Sequence, residues 1–187
     1  MMDERSLATL PPDLPAPLDD GAAAHLAGTR LPHVALPATD GSSVDLAAIP
    51  GLVVVFAYPR TGRPGEPSLV ADWDAIPGAR GCTPHTCGFR DLHAEFAALG
   101  ARVFGLSTQD TAYQREMVER LHVPFPVLSD ERLAFANALR LPTMEVAGQV
   151  LLKRIAWIAR DGAIERVFYP VFPPNENASV VLAALRG

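Results

Sequence analysis

Eighteen prolines are spread over 187 residues, about twice the usual density of about 5%. Proline inside a helix removes a hydrogen bond and clashes with the preceding turn, so long helices must be few. Regular elements have to fit between these stops. Hydrophobic residues make up 49% of the chain, enough for a core at this length, and the size suits one domain with a tail. No apolar run approaches the roughly 20 residues that cross a bilayer, so no membrane association is expected. The first twenty residues, MMDERSLATLPPDLPAPLDD, lack both a basic start and a continuous apolar stretch. No secretory signal is expected, and a cytoplasmic location is the default. A net charge of −5 argues against nucleic acid, which needs a basic face.

Residues 1–29 carry Pro11, Pro12, Pro15 and Pro17, the acidic pair Asp19–Asp20 and the small run GAAAHLAG. They are expected to form an arm or a loosely packed helix beside a domain covering 30–187. LPHVALPATDGSSVDL, from Leu31, predicts a short hairpin turning at Asp40–Gly41. LVVVFAY after Gly51 is an unbroken β-branched and aromatic run, which suits a central strand buried on both faces and ended by Pro59. Residues 60–80 form an irregular insertion far longer than the usual 2–6 residues at such a place.

From Thr83 to Gly100, Phe89, Leu92, Phe96 and Leu99 repeat at helical spacing and form a core stripe. ARVFGLST is a second buried strand, followed by a polar helix to Leu121, a short strand in VPFPVLSD and a helix at 131–140. A hairpin of 151–159 and 163–169 turns at Asp161–Gly162, and a helix closes the chain at 177–185. Strands alternating with helices predict an α/β fold with a mostly parallel central sheet, flanked by helices and extended by antiparallel strands.

Cys82 and Cys87 are the only cysteines, too few to staple a scaffold. Cys82 follows a Gly-rich loop and opens a helix, where unpaired N–H groups and the helix dipole favour thiolate over thiol. Arg80 and Arg90 add positive charge, and Pro84 is tolerated in a first turn. In an intact helix, residues five apart have Cα atoms roughly 8.6 Å apart, given ~1.5 Å rise and ~100° per residue on a ~2.3 Å radius. A disulfide needs less than about 7 Å. The pair therefore predicts a helical dithiol and a locally unwound disulfide. An accessible thiolate with a second cysteine held back matches oxidation to sulfenic acid followed by condensation. A metal site of Cys82, His85, Cys87 and His93 fits structural zinc spacing poorly. His85 is expected to be a solvent-side residue or a local tuner. Trp73 and Asp74 either anchor the long loop, the favoured reading, or form a lid over Cys82.

VVVFAYP (53–59), GCTPHTCGFRD (81–91), LSD (128–130) and KRIAWIARDG (153–162) together resemble a peroxiredoxin of the bacterioferritin-comigratory-protein or PrxQ-like type, over roughly residues 30–187. The resemblance implies a thioredoxin-like fold with an N-terminal β-hairpin extension. It implies that Cys82 is the peroxidatic and Cys87 the resolving cysteine, and that Arg154 is the active-site arginine. Pro59, Gly81 and Thr83 would bind substrate, Pro59 by shielding the pocket. Hydrogen peroxide or an organic hydroperoxide would be the substrate, thioredoxin or a relative the reductant, and no metal, haem or flavin would be needed. The chain would be a monomer or weak dimer. It departs from the family in two places. Ala79 stands where the family has a threonine three residues before the cysteine, leaving Thr61 or Thr83 to supply the hydroxyl. Pro59 lies 23 positions before Cys82 rather than 7, which accounts for the insertion. Position 85, often Glu or Gln in the family, is His85. The Ala79 departure keeps a redox sensor or thiol–disulfide carrier as the alternative.

Overall fold

Val53 to Ala57 are all buried because the strand they form, β3 (Leu52–Ala57), is covered on both faces. The computed structural model describes residues 2–187. Its five-stranded sheet has the order β5-β4-β3-β8-β9, with β4 Ala101–Ser107, β5 Val127–Ser129, β8 Ile155–Arg160 and β9 Ala163–Phe168. β3, β4 and β5 are parallel, while β8 and β9 are antiparallel to their neighbours. This is the mixed sheet expected of a thioredoxin-like fold. β1 (Ala35–Pro37) and β2 (Ser43–Asp45) form the expected hairpin, closed where the Asp40 carboxylate accepts from the Ser42 N–H at 2.9 Å.

Alternation along β3 divides the core in two. Val53, Val55 and Ala57 face a cluster with Leu46, Phe104, Phe135 and Trp157. Val54 and Phe56 face Phe89, Phe96, Met117 and Val181. The second cluster receives α2 (Cys82–Asp91), α3 (His93–Ala98), α4 (Thr111–Leu121) and α6 (Asn177–Arg186), and α5 (Ala134–Leu139) lies with the first. Phe89 stacks on Phe56 with ring centroids 4.3 Å apart, which fixes α2 against the sheet.

Three expectations needed correction. The helix expected over 83–100 is two pieces that meet at Leu92 (φ −100°, ψ 9°). Phe96 stays in the aromatic column, but Leu99 turns out to solvent. The helix expected at 131–140 starts only at Ala134, because Asp130 reaches over Leu133 to accept from the N–H groups of Phe135 and Ala136. The strand expected over 151–159 is interrupted at Lys153–Arg154. Its first part belongs to β7 (Gln149–Leu152), which pairs with β6 (Thr143–Val146) in a hairpin of its own. That interruption frees Arg154 to leave the plane of the sheet.

Residues 2–29 lie against the rest of the molecule. Asp3 caps α1 (Glu4–Ala8) by accepting from the Ser6 N–H at 2.7 Å. Asp20 pairs with Lys153 at 2.6 Å and accepts from the Tyr169 hydroxyl at 2.7 Å. Leu26 is buried in the first core cluster.

Candidate active site

Cys82 is the first residue of α2, beside the carboxyl ends of the parallel strands, where open α/β sheets place their sites. Gly81 precedes it at φ +101°. A Cβ there would lie 2.5 Å from Pro174 and 2.8 Å from Leu10, so both backbone geometry and space demand glycine. As the first helical residues, Cys82 and Thr83 have N–H groups without intrahelical acceptors.

Arg154, 3% exposed, approaches from the gap between β7 and β8. Its Nη2 donates to Cys82 Sγ at 3.2 Å and lies 3.0–3.3 Å from the carbonyl oxygens of Gly78, Ala79 and Arg80. One guanidinium thus holds both the sulfur and the end of the inserted loop. Its Nη1 donates to His85 Nδ1 at 3.0 Å. His85 Nε2 in turn donates to Asn177 Oδ1 at 2.8 Å, which fixes the tautomer. Burial, and then the Arg154 charge, hold the imidazole well below its usual 6.5, against a smaller upward push from Asn177. His85 is therefore neutral and fully buried, which overturns the solvent-side alternative of the two expected and leaves the local tuner. Its place three residues after Cys82, on one helix face, was a usable signal for a tuning role. Nothing in the sequence linked it to Asn177, 92 residues away.

Cys87 lies in the same unbroken helix, half-buried, and both cysteines are free thiols. Burial pushes the Cys87 thiol above its usual 9.0, partly offset by Arg90 and Arg120. The helical dithiol expected from the spacing is the state present.

Cys82 was expected to be accessible, yet it is 3% exposed. It is reached through a cavity of about 30 Å³ that Gly81, Thr83, Thr61, Trp73 and Tyr113 also line. Pro59 is buried at the end of β3 and does not line this cavity. Thr61 gives its hydroxyl proton to Gln109 Oε1 at 3.1 Å. Trp73 packs with Ala79, Val146 and Leu151, the favoured anchoring reading, and also lines the cavity, whereas Asp74 does not line it and faces Arg80 at 3.6 Å. Arg80, expected beside Cys82 as positive charge, also lines the cavity, whereas the sequence did not point to Met2 and Leu7, which line it too. Among the described residues, no group of three or more His, Cys, Asp or Glu side chains is placed to hold a metal. Nor, among those residues, is any helix long and apolar enough to cross a membrane.

The sequence profile of the family described as Redoxin matches residues 26–185. Peroxiredoxin Q of rice (Oryza sativa subsp. japonica), chloroplastic, is 27% identical over 160 residues, covering 85% of this chain and 66% of that protein. Peroxiredoxin bcp1 of Schizosaccharomyces pombe is 30% identical over 138 residues, 72% of this chain and 60% of that one. The chain thus spans about two thirds or less of the length of these relatives. Among solved structures, peroxidoxin BcpB of Mycobacterium tuberculosis aligns with a TM-score of 0.67 at 26% identity, over 86% of this chain and 96% of that one. The bacterioferritin comigratory protein of Xanthomonas campestris, studied for alkyl peroxide reduction, shares the fold with a TM-score of 0.68 at 22% identity, over 86% and 97%.

Proposed function

The chain belongs to the redoxin family, among the peroxiredoxins of the Q/Bcp type, and from that premise we propose that it is a thiol-dependent peroxidase using Cys82. The observation that carries this reading is the Arg154 Nη2 placed 3.2 Å from Cys82 Sγ at the open end of a helix. A thiolate there attacks the nearer oxygen of a hydroperoxide. The S–O bond forms as the O–O bond breaks, and the departing alkoxide or hydroxide takes a proton to leave as alcohol or water. Arg154 and the free N–H groups supply positive charge where negative charge moves. Thr61 spends its proton on Gln109, so we assign to Thr83 the hydroxyl role that Ala79 cannot fill.

The product is a Cys82 sulfenic acid. Cys87 attacks its sulfur, an S–S bond forms, and water leaves with the Cys87 proton. The first turns of α2 must unwind for this, because the intact helix holds the two residues too far apart. Burial keeps Cys87 a thiol until that release. An external dithiol of the thioredoxin type then reduces the disulfide, and no step calls on a metal, haem or flavin. The whole protein acts on a soluble peroxide and one such reductant.

The test is peroxide consumption coupled to a thioredoxin system. Cys82→Ser is expected to abolish it, and Cys87→Ser to allow a single turnover that stops at the sulfenic acid. Full activity in Cys82→Ser would overturn the assignment.

A further inference from the structure

Resting on the peroxidase reading, we infer that the N-terminal segment sets the substrate class of Cys82, admitting hydrogen peroxide and excluding hydroperoxides that carry a bulky organic group. The cavity of about 30 Å³ holds about two to three water-sized centres, at ~10–15 Å³ each. That matches the two oxygens of hydrogen peroxide, so a bulky organic substituent would have to lie in the mouth between Met2, Leu7 and Trp73. Two of its walls, Met2 and Leu7, come from the segment that precedes the family-matched stretch.

The segment is seated, not draped. Gly65 N–H donates to the Met2 carbonyl at 2.8 Å, tying the arm to the inserted loop. Arg80 donates to the carbonyls of Ser6 and Thr9. Gly62 carries the most information. Its φ is not in the left-handed region, so its backbone does not require glycine, yet a Cβ there would meet Leu7 Cδ2 at 2.8 Å. The missing side chain is the seat of Leu7. Leu10 shares the matching space at Gly81 with Pro174. The loop thus makes room for the arm, and the arm narrows the path to the sulfur.

The experiment measures second-order rate constants for hydrogen peroxide and for cumene hydroperoxide in the intact chain, in Leu7→Asp and in Leu10→Asp. Each substitution puts a charge where the arm needs an apolar anchor. The intact chain is expected to favour hydrogen peroxide by at least tenfold, and both variants to lose at least tenfold of that preference. The same ratio in all three proteins overturns the inference. If no form consumes either peroxide, the peroxidase reading fails, and labelling of Cys82 in a Cys87→Ser background decides the cover by itself. A small methanethiosulfonate reacting faster than a bulky maleimide, with the difference shrinking in the variants, supports it. Equal labelling by both reagents in the intact chain overturns it.

Discussion

The floor and the roof around Cys82 are built by different physics. On the floor, Arg154, His85 and Asn177 are buried and joined by directional hydrogen bonds of 2.8–3.2 Å, all on elements inside the family-matched stretch. The roof is made of residues 2–10 and the 60–81 loop. Leucines seated against glycines, a few backbone bonds, and Arg60 and Arg63 stacked over the Tyr113 ring at 4.8 and 3.9 Å hold it. A buried polar network fails when one partner goes, because the remaining groups cannot return to water. An apolar seat loses only what it covered. The floor therefore fixes the chemistry, and the roof can vary without changing it.

The sharpest way to break this division is to damage the floor while keeping its charge. Arg154→Lys retains a cation but cannot serve Cys82, His85 and three carbonyls at once from a planar fork. Loss of a preorganised donor to a developing charge costs about 100- to 1,000-fold in rate. A fall of that size is expected in the second-order rate constant with hydrogen peroxide, read by stopped-flow. A loss under about threefold would mean that the guanidinium geometry contributes little beyond its charge.

Asn177→Ala tests the outer link. It leaves His85 Nε2–H buried without an acceptor, at a cost of about 1–3 kcal/mol in unfolding free energy. The peroxidase rate should fall by less than in Arg154→Lys, since Arg154 keeps its acceptor. If stability were unchanged, His85 would have found another partner and the network would be looser than its distances suggest.

Much of the immediate setting of Cys82 was legible in the sequence, because the signals there are local. Gly81–Cys82 at a helix start, the five-residue interval to Cys87 and the buried run ending at Pro59 each follow from short-range rules. The cues failed where distant segments meet. The break at Lys153–Arg154 could not be read from KRIAWIARDG, whose apolar residues look like one strand. It is set by Leu151 and Leu152 pairing with Thr143 and Met144 in a separate hairpin. Asn177 reads as a helix start, and only the packing of α6 beside α2 turns it toward His85. The roof was the least legible. Four prolines marked residues 1–29 as an arm, but its seat depends on an absent side chain at Gly62, which leaves no pattern in the sequence.

A smaller effect comes from pH. His85 is neutral in the folded protein because burial and Arg154 depress its proton affinity. The unfolded chain takes up a proton near the ordinary 6.5 and the folded one does not. This contribution to stability is complete above that pH and is lost as pH falls below it, with a slope of at most about 1.4 kcal/mol per pH unit. His85→Gln keeps a neutral acceptor for Arg154 and removes the titration. Urea unfolding at a series of pH values is expected to show a flatter decline below 6.5 in the variant. Parallel curves would place the acid sensitivity in other groups.

The smallest expected effect is the one that most directly separates the two regions. Leu7 is 5% exposed, and truncating a leucine buried in a cooperative core costs about 2–5 kcal/mol. α1 has only five residues, too short to be stable by itself, and it lies outside both main core clusters. If the roof opens as its own unit, Leu7→Ala removes contacts that are already lost before global unfolding begins. The global unfolding free energy should then change by less than about 1 kcal/mol, while amide exchange at Ser6 and Leu7, whose N–H groups both donate to Asp3, accelerates. A global cost of about 2–5 kcal/mol would make the arm part of the same cooperative unit as the floor. In that case Cys82 would be covered by the core of the protein rather than by a separable lid.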